Sequence, residues 1–160
     1  SELILNNHKE FVDLVCECWD FHQNIFNEDS TWSYYKYNFF SLAAPNALAY
    51  ELFVELRNLI PDDGKWMQSW INYHYPDQVL KWHNHDWDYH GYISIVPHNT
   101  STRFADYEIK NEVGNIYIGP GHRQHEVVVN QRFDTPRITI GFDVTTHMAP
   151  PNNMLSLIPL

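Results

Sequence analysis

Phe11, Leu14, Val15 and Cys18 recur at three- and four-residue spacing, and Trp19 and His22 extend the same stripe. That period predicts an amphipathic helix over residues 11–23. Asn7 is placed to cap it, and Glu10 three residues later completes the pattern of a capping box. Residues 32–40 are rich in aromatics, and Tyr34, Tyr35 and Tyr37 fit a strand or an irregular segment equally well. Leu48, Leu52, Leu56 and Leu59 mark one face of a second helix over residues 46–60, opened by Pro45 and stopped by Pro61. Beyond the turn Asp62-Asp63-Gly64 the period changes. Short strands are expected at residues 66–75, 79–85, 91–96, 103–105, 114–118, 125–129 and 137–143.

Some seven strands over about 80 residues, preceded by two helices, predict a mostly β fold with flanking N-terminal helices, a small barrel or sandwich. In the last strand, alternation turns Ile138, Ile140 and Phe142 toward the helices and Arg137, Thr139 and Gly141 toward the interior. A single domain is expected, with residues 1–62 as helical support, 63–144 as the β core and 145–160 as a tail. The apolar stretch 154–160 either folds back or meets a partner.

Length and composition agree with this picture. The 160 residues suffice for one core, and 44% apolar with 16% aromatic side chains exclude a disordered or fibrous chain. The formal charge is −10, with 3 basic and 9 acidic side chains in residues 1–60 and 7 and 11 in the remainder. Neither part offers the basic face that a phosphate backbone requires, so nucleic acid is an unpromising partner. Cys16 and Cys18 lie ~200° apart on a helix and cannot chelate one ion together. Two cysteines exclude a disulfide framework and favour a reducing compartment. No apolar run reaches membrane-spanning length, and a cytoplasmic location is expected.

The chemistry concentrates in two segments. In Trp82-His83-Asn84-His85-Asp86, a strand that persists through His85 puts His83 and His85 on one face, as two adjacent metal ligands require. The ordinary alternative is a pair of histidines bonded to Asp86 and Asp88. Downstream, Gly114-Asn115-Ile116-Tyr117-Ile118-Gly119-Pro120-Gly121 leads into His122-Arg123-Gln124-His125. His125 opens the apolar run Val127-Val128-Val129 and is favoured over His122, which lies in the turn, as a third ligand. His8, His22, His90, His98 and His147 have no comparable arrangement. Arg137, twelve residues after His125, points inward beside Thr139. A buried guanidinium needs an anion, supplied either by an internal carboxylate such as Asp143 or Asp134 or by a ligand gripped by the Arg137–Thr139 fork.

The order of a His-x-carboxylate-like pair, a distal His and an Arg-x-Ser/Thr on the following strand resembles Fe(II)/2-oxoglutarate-dependent oxygenases, over residues 66–144. Residues 69–85 look like the AlkB-type and prolyl-hydroxylase-like branches, and His83–Val96 resembles small 2-oxoglutarate oxygenases of the His-x-His type. The resemblance implies a double-stranded β-helix (jelly-roll, cupin-like) barrel. It implies Fe(II) held by His83, His85 and His125, with 2-oxoglutarate as co-substrate released as succinate and CO2. Arg137 and Thr139 would then bind its distal carboxylate and Asn72 its C1 carboxylate, with His74 standing where a Tyr is expected. A small-molecule or peptide substrate is implied. The chain departs from the pattern at His85, where the family has a carboxylate. Either His85 is a ligand, with Asp86 or Asp88 orienting an imidazole from outside, or Asp86 or Asp88 itself coordinates. His-x-His followed by Gly-x5-Pro and a distal His also resembles a three-histidine cupin dioxygenase, which needs no inward Arg. A non-enzymatic metal-binding module on the same barrel is the third reading.

Overall fold

The structure is a computed structural model that describes residues 1–26, 37–147 and 156–160. Helices come first. α1 (Glu2–Asn6) is capped by the Ser1 side chain, which accepts from the Ile4 N–H. α2 (His8–Phe26) follows at once. Asn7 is therefore a joint between two helices and not the expected cap, because its amide turns back and donates to Leu3 O at 2.9 Å. Of the aromatic segment 32–40, residues 32–36 lie outside the described residues, and the remainder runs into the helical turn α3 (Phe39–Leu42). α4 (Ala47–Leu59) is capped by Asn46, whose side chain accepts from the N–H groups of Leu48 and Ala49. Its buried face is Ala49, Leu52 and Leu56. Leu59, expected on that face, is 52% exposed, and the adjacent Ile60 is buried in the core instead. No helix among the described residues is long and apolar enough to cross a membrane.

The strands that follow are β1 (Trp66–His74), β2 (Tyr89–Val96), β3 (Thr100–Phe104), β4 (Glu108–Lys110), β5 (Ile116–Pro120), β6 (His125–Val129), β7 (Arg137–Thr145) and β8 (Ile158–Pro159). They form two antiparallel sheets, in the orders β5-β2-β7-β1-β8 and β4-β3-β6. Side chains of both sheets line one internal cavity, so the sheets stack face to face in a jelly-roll arrangement. The tail folds back, pairing Ile158 with Met67.

β7 is central to the large sheet and buried along all nine residues. Its two faces differ in character. Ile138, Ile140, Phe142 and Val144 join Met67, Ile71, Ile93 and Ile95 in a core shared with Phe11, Leu52 and Leu56 of the helices. Each such side chain, fully buried, contributes about 1.5–3 kcal/mol. Opposite this core, alternation turns Trp70 and Asn72 of β1, His90 and Tyr92 of β2, and Arg137 and Thr139 of β7 toward the second sheet. The helices thus cover one face of the large sheet, and the other is a mainly polar interior.

The strand expected at residues 79–85 does not form as such. Pro76–Gln78 is a short 3-10 helix, and beyond it the chain runs extended beside β6 with widely spaced contacts. Val127 N–H donates to Leu80 O, His83 and His125 exchange both backbone bonds, and His85 N–H donates to Gly121 O. The segment acts as an irregular edge of the small sheet. Two other boundaries move: the strand expected at 103–105 is β3, three residues earlier, and that at 114–118 is β5, two residues later. The positive φ of Gly114 belongs to the turn before β5.

Candidate metal centre

The paired backbones of His83 and His125 fix the first two imidazoles, with ring centroids 4.3 Å apart. His85, two residues on, brings a third ring 5.2 Å from His83 and 5.6 Å from His125. One ring nitrogen from each of the three lies within 4.8 Å of the other two. Gly121 makes room for this, because a Cβ there would collide with the Trp87 carbonyl oxygen while the Gly121 carbonyl holds the His85 N–H.

Outer contacts orient the rings. Nδ1 of His83 lies 2.6 Å from Lys81 O, Nδ1 of His125 lies 3.1 Å from Arg123 O, and Nδ1 of His85 lies 3.1 Å from Asp143 Oδ1. An Nδ1–H that donates to oxygen places the lone pair on Nε2, the form that binds a metal. Burial pushes His83 down to about 4, partly offset by its bond to Lys81 O. Burial, and then the charge of His90, pushes His125 to about 3. Both rings are neutral at physiological pH. Three imidazoles with anchored outer nitrogens suit Fe(II), Zn(II), Ni(II) or Cu(II).

Two further residues belong to the site and were not among the expected ones. His90, at the start of β2, is buried and stacks on His85 with centroids 3.6 Å apart, 4.9 Å from His125. Burial lowers its pKa as well. Asp143, fully buried, accepts from Nδ1 of His90 at 2.9 Å, from Nδ1 of His85 and from Nε2 of Gln68 at 3.2 Å. Burial alone would raise Asp143, but the bonds from His85 and His90 outweigh it and hold the carboxyl at about 2. The residue that orients an imidazole is therefore Asp143 and not Asp86 or Asp88. Asp86 is exposed, and Asp88 accepts from Thr146 N–H at 2.7 Å and its hydroxyl at 3.2 Å. His122 is exposed in the turn.

The cavity continues from the histidines to Arg137, Thr139 and Asn72. Arg137 is 3% exposed. Among the described residues no carboxylate lies within ion-pair distance of it, because Asp143 is turned to the histidines and Asp134 is exposed. Its contacts are two hydroxyls, Thr100 Oγ1 at 3.4 Å and Thr139 Oγ1 at 3.5 Å. Burial lowers its pKa to about 10. Asn72 donates to Thr139 Oγ1 at 3.1 Å and accepts from Trp70 Nε1 at 3.0 Å. His74, paired with Arg137 across β1 and β7, is pushed to about 4 by burial and then by the Arg137 charge. The enclosed space measures about 30 Å³, room for an ion with one or two waters.

No family model matches the chain, and no curated protein matches it. Among solved structures, KdgF from a Halomonas species is 13% identical, with a TM-score of 0.41 over 49% of this chain and 68% of that one. A cupin-2 domain containing protein from Shewanella frigidimarina is 16% identical, with a TM-score of 0.38 over 57% and 91%. A cupin protein from Bacteroides fragilis is 11% identical, with a TM-score of 0.42 over 63% and 93%.

Proposed function

We propose that the chain is an Fe(II)- and 2-oxoglutarate-dependent oxygenase acting on a small molecule or peptide, with His83, His85 and His125 as metal ligands. One observation carries the reading. A buried guanidinium whose hydrogen-bond partners among the described residues are two hydroxyls faces the cavity that the three histidines share. Such a charge is costly unless an anion meets it. Arg137 and Thr139 would bind the distal carboxylate of 2-oxoglutarate, while Asn72, expected at the C1 carboxylate, has its amide on Trp70 and Thr139 at the Arg137 end of the cavity. Trp70, Tyr92 and Val127 would exclude water from the bound pair. When bound, Fe(II) would supply the dioxygen chemistry that couples oxidative decarboxylation of 2-oxoglutarate to oxidation of the substrate.

The size of the cavity favours a second reading, a three-histidine cupin dioxygenase without co-substrate. About 30 Å³ does not admit a five-carbon dicarboxylate until side chains such as Leu80 or Val127 move aside. Calorimetric titration of 2-oxoglutarate into Mn(II)-loaded protein separates the two. The oxygenase reading expects one equivalent bound, dependent on the metal. Absence of binding leaves the cupin reading.

A further inference from the structure

Charge in the cavity is not balanced by the three histidines and Arg137. Neutral imidazoles leave a divalent ion with its full double charge, and Arg137 adds another in the same enclosed space. A dianionic co-substrate would cancel two of these three. One uncompensated positive charge would remain in a low-dielectric interior, where it is expensive.

β7 carries the missing counter-charge on the same face as Arg137. Alternation from Arg137 through Thr139 and Gly141 reaches Asp143, ~20 Å along the strand at ~3.3 Å per residue. Gly141 lies between, and the Trp70 indole occupies the place of its absent Cβ. Asp143 is fully buried, and three nitrogens, His85 Nδ1, His90 Nδ1 and Gln68 Nε2, face its two oxygens. That surrounding suits the ionised carboxylate and leaves little room for a proton. The acidic groups nearest the histidines in sequence are engaged elsewhere, Asp86 in solvent, Asp88 on Thr146 and Glu126 on Arg103.

We propose that Asp143 is a positioning and charge-compensating residue of the metal centre, delivering through His85 the negative charge that no direct ligand brings. The proposal rests on the three-histidine reading of the site. With ion, Arg137, Asp143 and a dianionic co-substrate together, the cavity is neutral. The same carboxylate holds His90 stacked on His85, so its two oxygens orient a pair of rings. Its effect is transmitted as a hydrogen bond to a ligand imidazole, which makes that imidazole a stronger donor.

Co(II) affinity, measured by competition with a chromophoric chelator, tests this. Asp143→Asn keeps the shape and removes the charge, and should weaken Co(II) binding by about 10- to 100-fold. Moving the carboxylate inward, in His85→Asp combined with Asp143→Asn, should recover most of that loss. A residue that only filled space would give no such rescue, so loss without recovery overturns the proposal, as does undiminished binding in Asp143→Asn. If Asp143→Asn does not fold, His85→Asp alone decides. Adding a second carboxylate beside Asp143 should weaken 2-oxoglutarate binding to the Co(II)-loaded protein roughly tenfold, and unchanged or tighter binding overturns the proposal. Failure of the parent protein to bind Co(II) overturns the three-histidine site itself, and this inference with it.

Discussion

Replacing Arg137 by Met should make the metal-free protein more stable while destroying its grip on 2-oxoglutarate. Burial lowers the guanidinium to about 10, so the folded state disfavours its charged form by about 3 kcal/mol. Two long contacts to hydroxyls return little of that. Removing the side chain strands no acceptor, because Thr100 Oγ1 still accepts from Asn111 and Thr139 Oγ1 still accepts from Asn72. Met matches the length of the Arg stem and is apolar. A gain of about 1–3 kcal/mol is expected, read as a higher urea midpoint and a Tm raised by roughly 2–4 °C per kcal/mol. In the metal-loaded protein the same variant should bind 2-oxoglutarate about 10- to 100-fold more weakly, the equivalent of about 1.5–3 kcal/mol for a charge-assisted bond. Lys in its place should recover only part, since an ammonium lacks the planar fork. Metal content should not change. A less stable Arg137→Met protein that still binds 2-oxoglutarate at parental affinity would refute the reasoning at both steps.

Three further outcomes are expected. His125→Ala removes a proposed ligand and should weaken Co(II) binding by more than the about 10- to 100-fold typical of losing an outer contact, whereas His122→Ala should leave it unchanged; equal effects would move the ligand to the turn. Gly121→Ala forces the Trp87 and His85 backbones apart and should lower both stability and metal affinity, measured by thermal melting and the same chelator competition. Unfolding free energy of the metal-free protein should fall with acidification from about pH 6.5 toward pH 4. The unfolded chain takes up protons below 6.5, while His74 and His83 stay neutral to about 4 and His125 to about 3. Each therefore contributes up to about 1.4 kcal/mol per pH unit, and a flat profile in urea titrations across that window would contradict the burial of these rings.

Alternation carried much of the fold in advance. β6 begins and ends where the apolar run from His125 suggests, and the two faces of β7 separate at Ile138, Ile140 and Phe142 as periodicity requires. Residues 79–85 resisted the same reasoning because their contacts to β6 are spaced too widely to impose a regular pleat. β4, three residues with Glu108 and Lys110 exposed, is too short to leave a pattern. Within the site, His83, His85 and His125 were marked by spacing and by the turn before β6. His90 was not, since it falls five residues after His85, across an irregular bend that sequence spacing does not resolve. Asp143 left a usable signal: it continues the inward parity of Arg137, Thr139 and Gly141, and a carboxylate in so apolar a strand must have partners. Asp86 and Asp88 are near the histidines in sequence, whereas Asp143 is near them across the sheets, a proximity that sequence spacing does not carry.

The proposed site has three histidines holding Fe(II) in a cavity whose far end grips 2-oxoglutarate. Anaerobic titration tests it without knowledge of the substrate: chelator-treated protein receives Fe(II), then 2-oxoglutarate, with the visible spectrum followed throughout. The account predicts one equivalent of Fe(II) bound and a new absorbance band that saturates at one equivalent of 2-oxoglutarate and is strongly weakened in Arg137→Ala. Fe(II) bound with no band on adding 2-oxoglutarate would contradict the co-substrate, and no Fe(II) bound at all would contradict the metal centre.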